Sequence, residues 1–347
     1  METSQRQSGA GLRVLLTLAG VVVVVAGLKA AATLLQPLLV SVFLAVLSLP
    51  LLNWLQSRRV PRALAVMLTF LSVLLVLTGM VTLVGGSVTG FSEAAPRYQQ
   101  RLQVIVDSLT TWLQARGIEI PREVTTEMIN PGIVIKMAGD LFRIATSLLS
   151  KTVLILLLMV FILFEAAVLP GKLRAAFGNG REEHGWYSRI RVEIQRYLVI
   201  KTIISMATGV IVGLSLWLLG IDFPLLWGLL AFMLNYIPQL GSVLAALPTV
   251  LLAVVQYGVG RAIAVAVIYT VVNMLLGNVV EPYFMGRRLG LSTLVVFLSM
   301  VFWGWVWGPL GMLLSVPLTM IVKIALENSG DFRWAGVLLD AQPPDAS

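Results

Sequence analysis

Polar side chains are scarce in the apolar runs of this 347-residue chain, and those in its C-terminal part are the candidates for chemistry. Asn235 and Gln239 flank an interruption of one run by proline and glycine, and Asn273 and Asn278 lie along a later run. Amide side chains both donate and accept hydrogen bonds. Because a polar group inside an apolar environment is costly, we interpret these four amides as groups that bind a polar solute.

Glu281 is the acidic candidate, at the end of that later run. One interpretation makes it an ion- or proton-coupling group, since a carboxylate in a membrane segment can carry a proton or a cation. The alternative places it at the membrane surface, paired with Arg287 or Arg288. The sequence leaves both interpretations open. Asp222 is instead predicted to cap the N-terminus of the helix that follows it.

Several classes of site are excluded by composition. The chain has no Cys and a single His, His184, which we interpret as a solvated loop residue, so zinc sites of the usual kinds cannot be built. It has no G-x-x-x-x-G-K phosphate loop and no Ser–His–Asp constellation. We therefore expect no metal, no cofactor and no enzymatic activity. The net charge is +8, but the basic residues cluster between apolar runs, so we expect no nucleic-acid binding.

The overall composition indicates an integral membrane protein. Hydrophobic residues make up 58% of the chain and charged residues 12%, against about 25% charged in soluble domains. A membrane-spanning helix needs about 20 apolar residues. Six runs are predicted to span the membrane: 14–35, 37–55, 63–86, 146–169, 201–220 and 262–280. Because Gln36–Pro37 makes the first connection very tight, the first two spans are predicted to form an antiparallel hairpin.

Basic clusters between the runs set the predicted orientation, because basic loops stay in the cytoplasm. Placing all of them inside the cell gives cytoplasmic N- and C-termini. The chain then divides into an N-terminal three-span scaffold (1–86), an extracytoplasmic helical excursion (87–145), a fourth span (146–169), a cytoplasmic amphipathic linker (170–200), a transport core (201–325) and a cytoplasmic tail (326–347).

Two further apolar segments, 224–256 and 291–325, are interrupted near their middle by proline and glycine, which break helices. Each half has about 15 residues, which is marginal for a full crossing of about 20. The predicted orientation also requires both segments to enter and leave on one side. We therefore predict re-entrant helical hairpins, with ordinary kinked helices as the alternative.

Residues 201–256 and 262–325 resemble each other, since each has a span followed by an interrupted segment. The predicted fold class is all-α: a polytopic membrane helix bundle with six spanning helices and two re-entrant hairpins in an inverted repeat, about eight membrane segments. Broken helices are tolerated where the free backbone groups line a protected cavity, so the two tips are predicted to meet near the midplane and bind the solute. The candidate substrate-binding residues are Asn235, Pro238, Gln239, Gly241, Asn273, Asn278, Trp307, Gly308, Pro309 and Gly311.

Three sequence runs carry a resemblance to a known family: NYIPQLG at 235–241, VEPYFMGRRLGLS at 280–292 and WGWVWGPLGMLLSVPLT at 303–319. They resemble the hallmark segments of the autoinducer-2 exporter family of bacterial inner-membrane permeases, the PerM-type transporters. The resemblance implies a homo-oligomer, namely a pentamer, with an elevator-like moving core. Members of the family are linked to export of autoinducer-2, and others to exchange of sodium or lithium for protons.

Three functions follow as hypotheses. The first is a secondary transporter that exports a small polar molecule, such as autoinducer-2, by alternating access. The second is a sodium (or lithium)/proton antiporter that uses Glu281. The third is a non-transporting membrane scaffold that recruits partners through 87–145 or 170–200. We predict the first, with the lipid bilayer, a small-molecule or cation substrate and further copies of the chain as partners.

Overall fold

The computed structural model describes residues 2–117, 151–166, 168, 171–172, 175, 185–285, 290–329 and 332–340. The helices in the described part, in chain order, are α1 (Glu2–Ala30), α2 (Ala32–Ser57), α3 (Arg62–Gln114), α4 (151–166), α5 (Gly185–Leu218), α6 (Pro224–Leu234), α7 (Gly241–Tyr257), α8 (Val259–Val272), a π-helix (Asn273–Val280), α9 (Glu281–Met285), α10 (Thr293–Trp307), α11 (Pro309–Glu327) and α12 (Arg333–Leu338). This all-helical architecture confirms the predicted class, a polytopic membrane helix bundle.

Among the described residues, five helical segments are long and apolar enough to cross a membrane. They are Ala32–Ser57, Arg62–Phe91, Ile190–Leu218, Val259–Phe284 and Pro309–Glu327. The predicted span 146–169 is described mainly at 151–166. Helix α11 is longer than expected: its 19 residues extend about 28 Å, so the prediction of about 15 residues for each hairpin arm is wrong for this arm.

The first two helices do not form the hairpin predicted at Gln36–Pro37. Both residues lie inside α2, and the interruption is the single residue Ala31. Helical hydrogen bonding continues across it, because Ala31 N–H donates to the Gly27 carbonyl and Leu35 N–H donates to the Ala31 carbonyl, both at 2.9 Å. One packed face also continues at helical spacing, formed by Val25, Leu28, Ala32, Leu35 and Leu39. A loop that reverses a helix needs at least about two residues, so Ala31 marks a bend.

Two long helices join segments that the sequence analysis separated. Helix α3 runs unbroken for 53 residues, so the helix predicted after residue 86 continues the third span. Helix α5 likewise joins the amphipathic end of the linker to the span that begins at residue 201. The rest of the predicted excursion, 118–145, and most of 170–184 lie outside the described residues.

Both interrupted segments fold as packed helical hairpins. In the first, α6 and α7 approach so closely at the tip that a Cβ on Gly241 would overlap the Leu234 carbonyl oxygen. In the second, Gly308 separates α10 from α11, with a φ of 66° that glycine adopts without strain. A Cβ on Gly311 would overlap the Trp303 carbonyl oxygen. Glycine therefore does more than break these helices, because it also lets the two arms touch.

The leading helices of the two repeat units run in opposite directions, as an inverted repeat requires. At one end of the bundle, Lys201 of α5 contacts Glu281 at the start of α9. At the other end, Arg261 of α8 donates a 3.2 Å hydrogen bond to the carbonyl oxygen of Leu219, just after α5. The chain from α5 to α7 and the chain from α8 to α11 thus each present a helix followed by a hairpin.

Close helix packing holds α5 against the first hairpin. A Cβ on Gly209 of α5 would lie 2.6 Å from the carbonyl oxygen of Gly228 in α6, so neither position has room for a side chain. Small residues of this kind let membrane helices approach each other. The contact places the buried face of α5 directly against α6 and fixes what the tip of the first hairpin can reach.

Candidate functional site

An ion pair between Lys201 and Glu281 is the centre of the candidate site. The Lys201 Nζ atom lies 2.7 Å from Glu281 Oε1 and 2.8 Å from Oε2, so the ammonium group donates to both oxygens. The Lys201 side chain is 5% exposed and that of Glu281 17%. Glu281 is therefore paired, as one interpretation expected, but with Lys201. Arg287 and Arg288 lie outside the described residues.

A π-helix leads directly into Glu281. It covers the eight residues Asn273–Val280 and continues the α-helix α8. Hydrogen bonds of the i to i+5 type add a residue to the turn, and π-helical turns are frequent at functional sites. The wider turn changes the angle at which Glu281 leaves the helix compared with an uninterrupted α-helix. Its position opposite Lys201 therefore depends on this local geometry.

The amide candidates in the π-helix have different environments. Asn273 is half-buried, and its Oδ1 atom lies 3.0 Å from where a Cβ on Gly277 would be. Asn278 is exposed. Of the two, only Asn273 is partly enclosed by the bundle. Neither side chain is brought to the Lys201–Glu281 pair by a described hydrogen bond.

A row of polar side chains extends from Lys201 along the buried side of α5. Tyr197, Lys201, Ser205 and Thr208 follow one another at spacings of four, four and three, and all four are buried. Residues three and four apart lie on the same side of an α-helix. We call these four residues the polar face of α5. Buried polar groups in a membrane helix mark sites of function, because an apolar helix would be cheaper to bury.

The tip of the first hairpin lies beside this polar face. The Asn235 Nδ2 atom donates a 2.9 Å hydrogen bond to Ser205 Oγ, and both side chains are buried. The Tyr236 hydroxyl donates a 2.7 Å hydrogen bond to Thr202 Oγ1. The prediction that Asn235 lies at a polar hairpin tip is consistent with this arrangement, and Tyr236 is an addition that the sequence analysis did not make.

The other substrate candidates at the first tip, Pro238, Gln239 and Gly241, form the turn between α6 and α7. Gln239 is exposed and has a positive φ of 63°, which is uncommon for a residue with a side chain. Pro238 is half-buried beside it, and Gly241 is buried against Leu234. These residues reverse the chain so that Asn235 and Tyr236 face α5. Their contribution is to the geometry of the tip, since no described hydrogen bond joins the Gln239 side chain to the polar face.

The tip of the second hairpin contacts the N-terminal helices. The Trp307 Nε1 atom donates a 3.0 Å hydrogen bond to the Leu28 carbonyl, and Gln36 Nε2 donates a 3.1 Å hydrogen bond to the Trp307 carbonyl. Gly308 is half-buried, Pro309 is exposed and Gly311 is buried. Trp307 therefore ties the tip to the bend between α1 and α2.

Each tip contacts α2: Gln36 contacts Trp307 of the second tip, and the Phe43 ring packs edge-on against Tyr236 of the first at 5.8 Å. Seven residues of α-helix separate these contacts by about 10 Å. The ten substrate candidates fall into separate groups, at the first tip, at the second tip and in the π-helix. The expected meeting of the tips near the midplane stays a prediction.

A second polar network lies at the end of the bundle opposite the Lys201–Glu281 pair. The Tyr98 hydroxyl donates to Asp222 Oδ2 at 2.7 Å, and Gln256 Nε2 donates to the Tyr98 hydroxyl at 3.2 Å. The predicted capping role of Asp222 is wrong, because Phe223 is the N-cap residue of α6 and the carboxylate of Asp222 binds Tyr98. Burial, with the Asp222 carboxylate, raises the pKa of Tyr98 above its ordinary value.

Sequence reasoning did not single out Lys201, which stands at the start of the predicted span 201–220. The available signal was its spacing: Tyr197, Lys201, Ser205 and Thr208 repeat at helical intervals across the predicted start of a span. A basic residue near the end of a span is usually a surface residue. The spacing of its polar neighbours is what distinguishes Lys201 from that group.

The helices and the buried polar cluster together define a multi-pass membrane protein with two broken-helix hairpins. The profile of the AI-2E family transporters matches residues 18–330, and the chain belongs to this family of membrane transporters. Over 329 residues it is 37% identical to AI-2 transport protein TqsA of Escherichia coli (strain K12), covering 95% of this chain and 96% of that protein.

Two further relatives cover nearly the whole chain. The protein YhhT of Escherichia coli (strain K12) is 36% identical over 344 residues, which is 99% of this chain and 98% of YhhT. A relative from Haemophilus influenzae is 38% identical over 337 residues, which is 95% of this chain and 97% of that protein. The expected family is thereby confirmed.

Proposed function

We propose that this protein is a secondary transporter that exports a small polar molecule, such as autoinducer-2, by alternating access. The observation that carries the proposal is the buried polar cluster where the first hairpin tip meets α5, with Asn235 on Ser205 and Lys201 on Glu281. Such groups are costly in a membrane, and they mark substrate pathways in membrane proteins. Similarity to a relative named AI-2 transport protein supports autoinducer-2 as the first substrate to test.

Alternating access follows from the inverted repeat. Two units of opposite direction can exchange conformations, so that a site between them opens first to one side and then to the other. In this proposal, residues 201–325 form the moving transport core and residues 1–86 form the scaffold. The hydrogen bonds between Trp307 and the bend of α1 and α2 are then contacts between core and scaffold.

The surroundings of the core are part of the same proposal. We place the protein in a bacterial inner membrane with the C-terminal tail in the cytoplasm, since that orientation keeps the basic residues of 170–200 and Arg287–Arg288 inside. Without a reversal between α1 and α2, the same rule no longer places the N-terminus on that side. The N-terminal helices expose large apolar side chains, including Val23 (71%) and Leu75 (72%). These surfaces suit lipid and the interfaces of a homo-oligomer, which we expect to be a pentamer.

Reconstituted protein tests the proposal. Proteoliposomes loaded with autoinducer-2 should lose it faster than protein-free liposomes, and Asn235→Ala should slow the loss by roughly tenfold, the effect of one lost buried hydrogen bond. Thr270→Val, at an exposed position on α8, is the matched control and should leave the efflux rate unchanged. Efflux equal to that of empty liposomes would refute export of this molecule.

A second candidate function is sodium (or lithium)/proton antiport. The observation that favours it is the low exposure of the Glu281 carboxylate inside a membrane bundle. A cation would have to replace the Lys201 ammonium at the same two oxygens. Sodium-dependent proton movement in proteoliposomes that disappears in Glu281→Gln would support the antiporter. Autoinducer-2 efflux without any sodium-dependent proton movement would exclude it.

A further inference from the structure

We infer that the polar face of α5 is the solute-binding surface, and that it selects a neutral, hydroxyl-rich solute rather than an ion. The inference deepens the proposed function and rests on it for the claim that the solute is transported. The residues involved are those of the polar face, together with Asn235 and Glu281 opposite it. Of the ten predicted substrate residues, only Asn235 belongs to this surface.

Charge balance determines the class of solute. Among the residues that the structure describes, the charges at this surface are the ammonium of Lys201 and the carboxylate of Glu281, which cancel. A free cation brought to Glu281 would be repelled by Lys201, and an anion brought to Lys201 would be repelled by Glu281. A hydroxyl group suits both charges, because it can accept from the ammonium and donate to the carboxylate.

The neighbouring groups have the same hydrogen-bonding character. Ser205 is fully buried and accepts from Asn235, four residues from Lys201 on the same side of α5. A hydroxyl and an amide can each both donate and accept, so they suit the alternating donors and acceptors of a polyol. An ion pair kept only for stability could be replaced by apolar residues without loss, whereas a polar solute requires it.

The site is closed in this conformation. Lys201 is 4% exposed and Ser205 is 0% exposed, so a solute can reach them only when the first hairpin tip moves away from α5. The tip is held there by two side-chain hydrogen bonds, from Asn235 to Ser205 and from Tyr236 to Thr202. A solute that donates a hydrogen bond to Ser205 in place of Asn235 would offset the free-energy cost of opening the site.

The experiment uses labelled ribitol, its monoanion counterpart ribonate, and sodium, with full-length protein in proteoliposomes. Wild-type protein should release ribitol at least about tenfold faster than ribonate, with no sodium flux above that of empty liposomes. Ser205→Ala and the double variant Lys201→Met/Glu281→Gln should each lower ribitol release about tenfold. Ser215→Ala, on the same helix outside the polar face, should not change it. Faster release of ribonate or sodium than of ribitol would overturn the inference.

A binding measurement separates this inference from the transport proposal. The chain has no native Cys, so Ile204→Cys, at a buried apolar position three residues from Lys201, gives a single thiol beside the proposed site. Ribitol should slow its reaction with N-ethylmaleimide at least about threefold, while ribonate should not. If the proteoliposomes release none of the three labelled probes but ribitol protects the thiol, the binding site is supported and the transport proposal fails. If ribitol gives no protection, the inference itself is wrong.

Discussion

Lys201 and Glu281 are 80 positions apart in the chain, yet the Lys201 Nζ atom lies within 2.8 Å of both Glu281 carboxylate oxygens. The pair joins the leading helices of the two repeat units at one end of the bundle. Lys201 lies in α5 and Glu281 in α9, and nothing in the sequence of either helix indicates that the two residues are in contact. The paired charges are held where water has little access, so each stabilises the other and neither can be removed alone without cost.

The first prediction concerns this pair. Lys201→Met or Glu281→Gln leaves one charge buried without its partner, so each single variant should lower the free energy of unfolding by about 3–5 kcal/mol. The double variant should recover most of the loss, because no unpaired charge remains. Thermal unfolding of the purified protein, followed by tryptophan fluorescence, measures the coupling.

The exposed pair Lys172–Glu165 is the control for that cycle. It has a similar length, 2.9 Å, but side-chain exposures of 62% and 52%. Lys172→Met and Glu165→Gln should each change stability by no more than about 1 kcal/mol, because water screens exposed charges. Additive effects of the two substitutions at Lys201 and Glu281 would contradict a direct coupling.

The second prediction concerns the hairpin glycines. Gly241→Ala and Gly311→Ala would place a Cβ against the carbonyl oxygens of Leu234 and Trp303, so the arms of each hairpin must separate. We expect a loss of about 1–3 kcal/mol in stability for each variant, the usual cost of overpacking. Gly79→Ala, where no atom lies within 4 Å of the added Cβ, should be neutral or stabilising. Equal thermal midpoints for all three variants would argue against close contact at the tips.

The third prediction concerns the network at the opposite end. Tyr98→Phe removes the donor to Asp222 and the acceptor of Gln256, and should lower stability by about 1.5 kcal/mol. Tyr283→Phe, at a position 81% exposed, is the control and should have no effect. An equal response of both variants in thermal unfolding would show that the hydroxyl of Tyr98 contributes nothing.

The contribution of Tyr98 to folding stability depends on pH with a defined sign. Because its pKa is raised in the folded protein, the folded state keeps the phenol proton above pH 10 while the unfolded state loses it. The contribution of Tyr98 is therefore complete below about pH 10 and declines as the pH rises further. The wild type should lose stability between about pH 10 and 11 more steeply than Tyr98→Phe. Parallel pH profiles would contradict the raised pKa.

The fourth prediction concerns the C-terminal segment. Lys323, 4% exposed, donates to Asp340 Oδ2 at 2.8 Å and to the Gly290 carbonyl at 2.6 Å, and Ser292 N–H donates to the Leu339 carbonyl. Asp340→Asn weakens this attachment at the base of the second hairpin. Amide hydrogen exchange should then accelerate at Leu339 and Ser292, by roughly tenfold for about 1.4 kcal/mol lost.

Glu93→Gln is the control for that measurement, since Glu93 is an exposed residue of α3. It should leave exchange at Ser292 unchanged. If Asp340→Asn also leaves it unchanged, the ion pair does not hold the segment. Faster exchange throughout the protein would instead indicate a global loss of stability.

Much of the fold was predictable because its signals are local. Runs of about 20 apolar residues indicated the long helices, and the prolines and glycines near Gly241 and Gly308 indicated the hairpin tips. The connection at Gln36–Pro37 was mispredicted because proline is tolerated within membrane helices, and Pro37 lies inside α2.

The sequence by itself determined the membrane class, the interrupted segments and Glu281 as a residue of interest. Composition and helix-breaking residues have local effects, so they can be recognised without knowledge of tertiary contacts. Only the tertiary structure decided that Lys201 is the partner of Glu281, that α2 contacts both hairpin tips, and that one side of α5 carries the polar face. Lipid is as apolar as a protein core, so the sequence of a membrane helix indicates poorly which side is buried. That side is set by contacts between residues far apart in the chain, and the candidate site is made of such contacts.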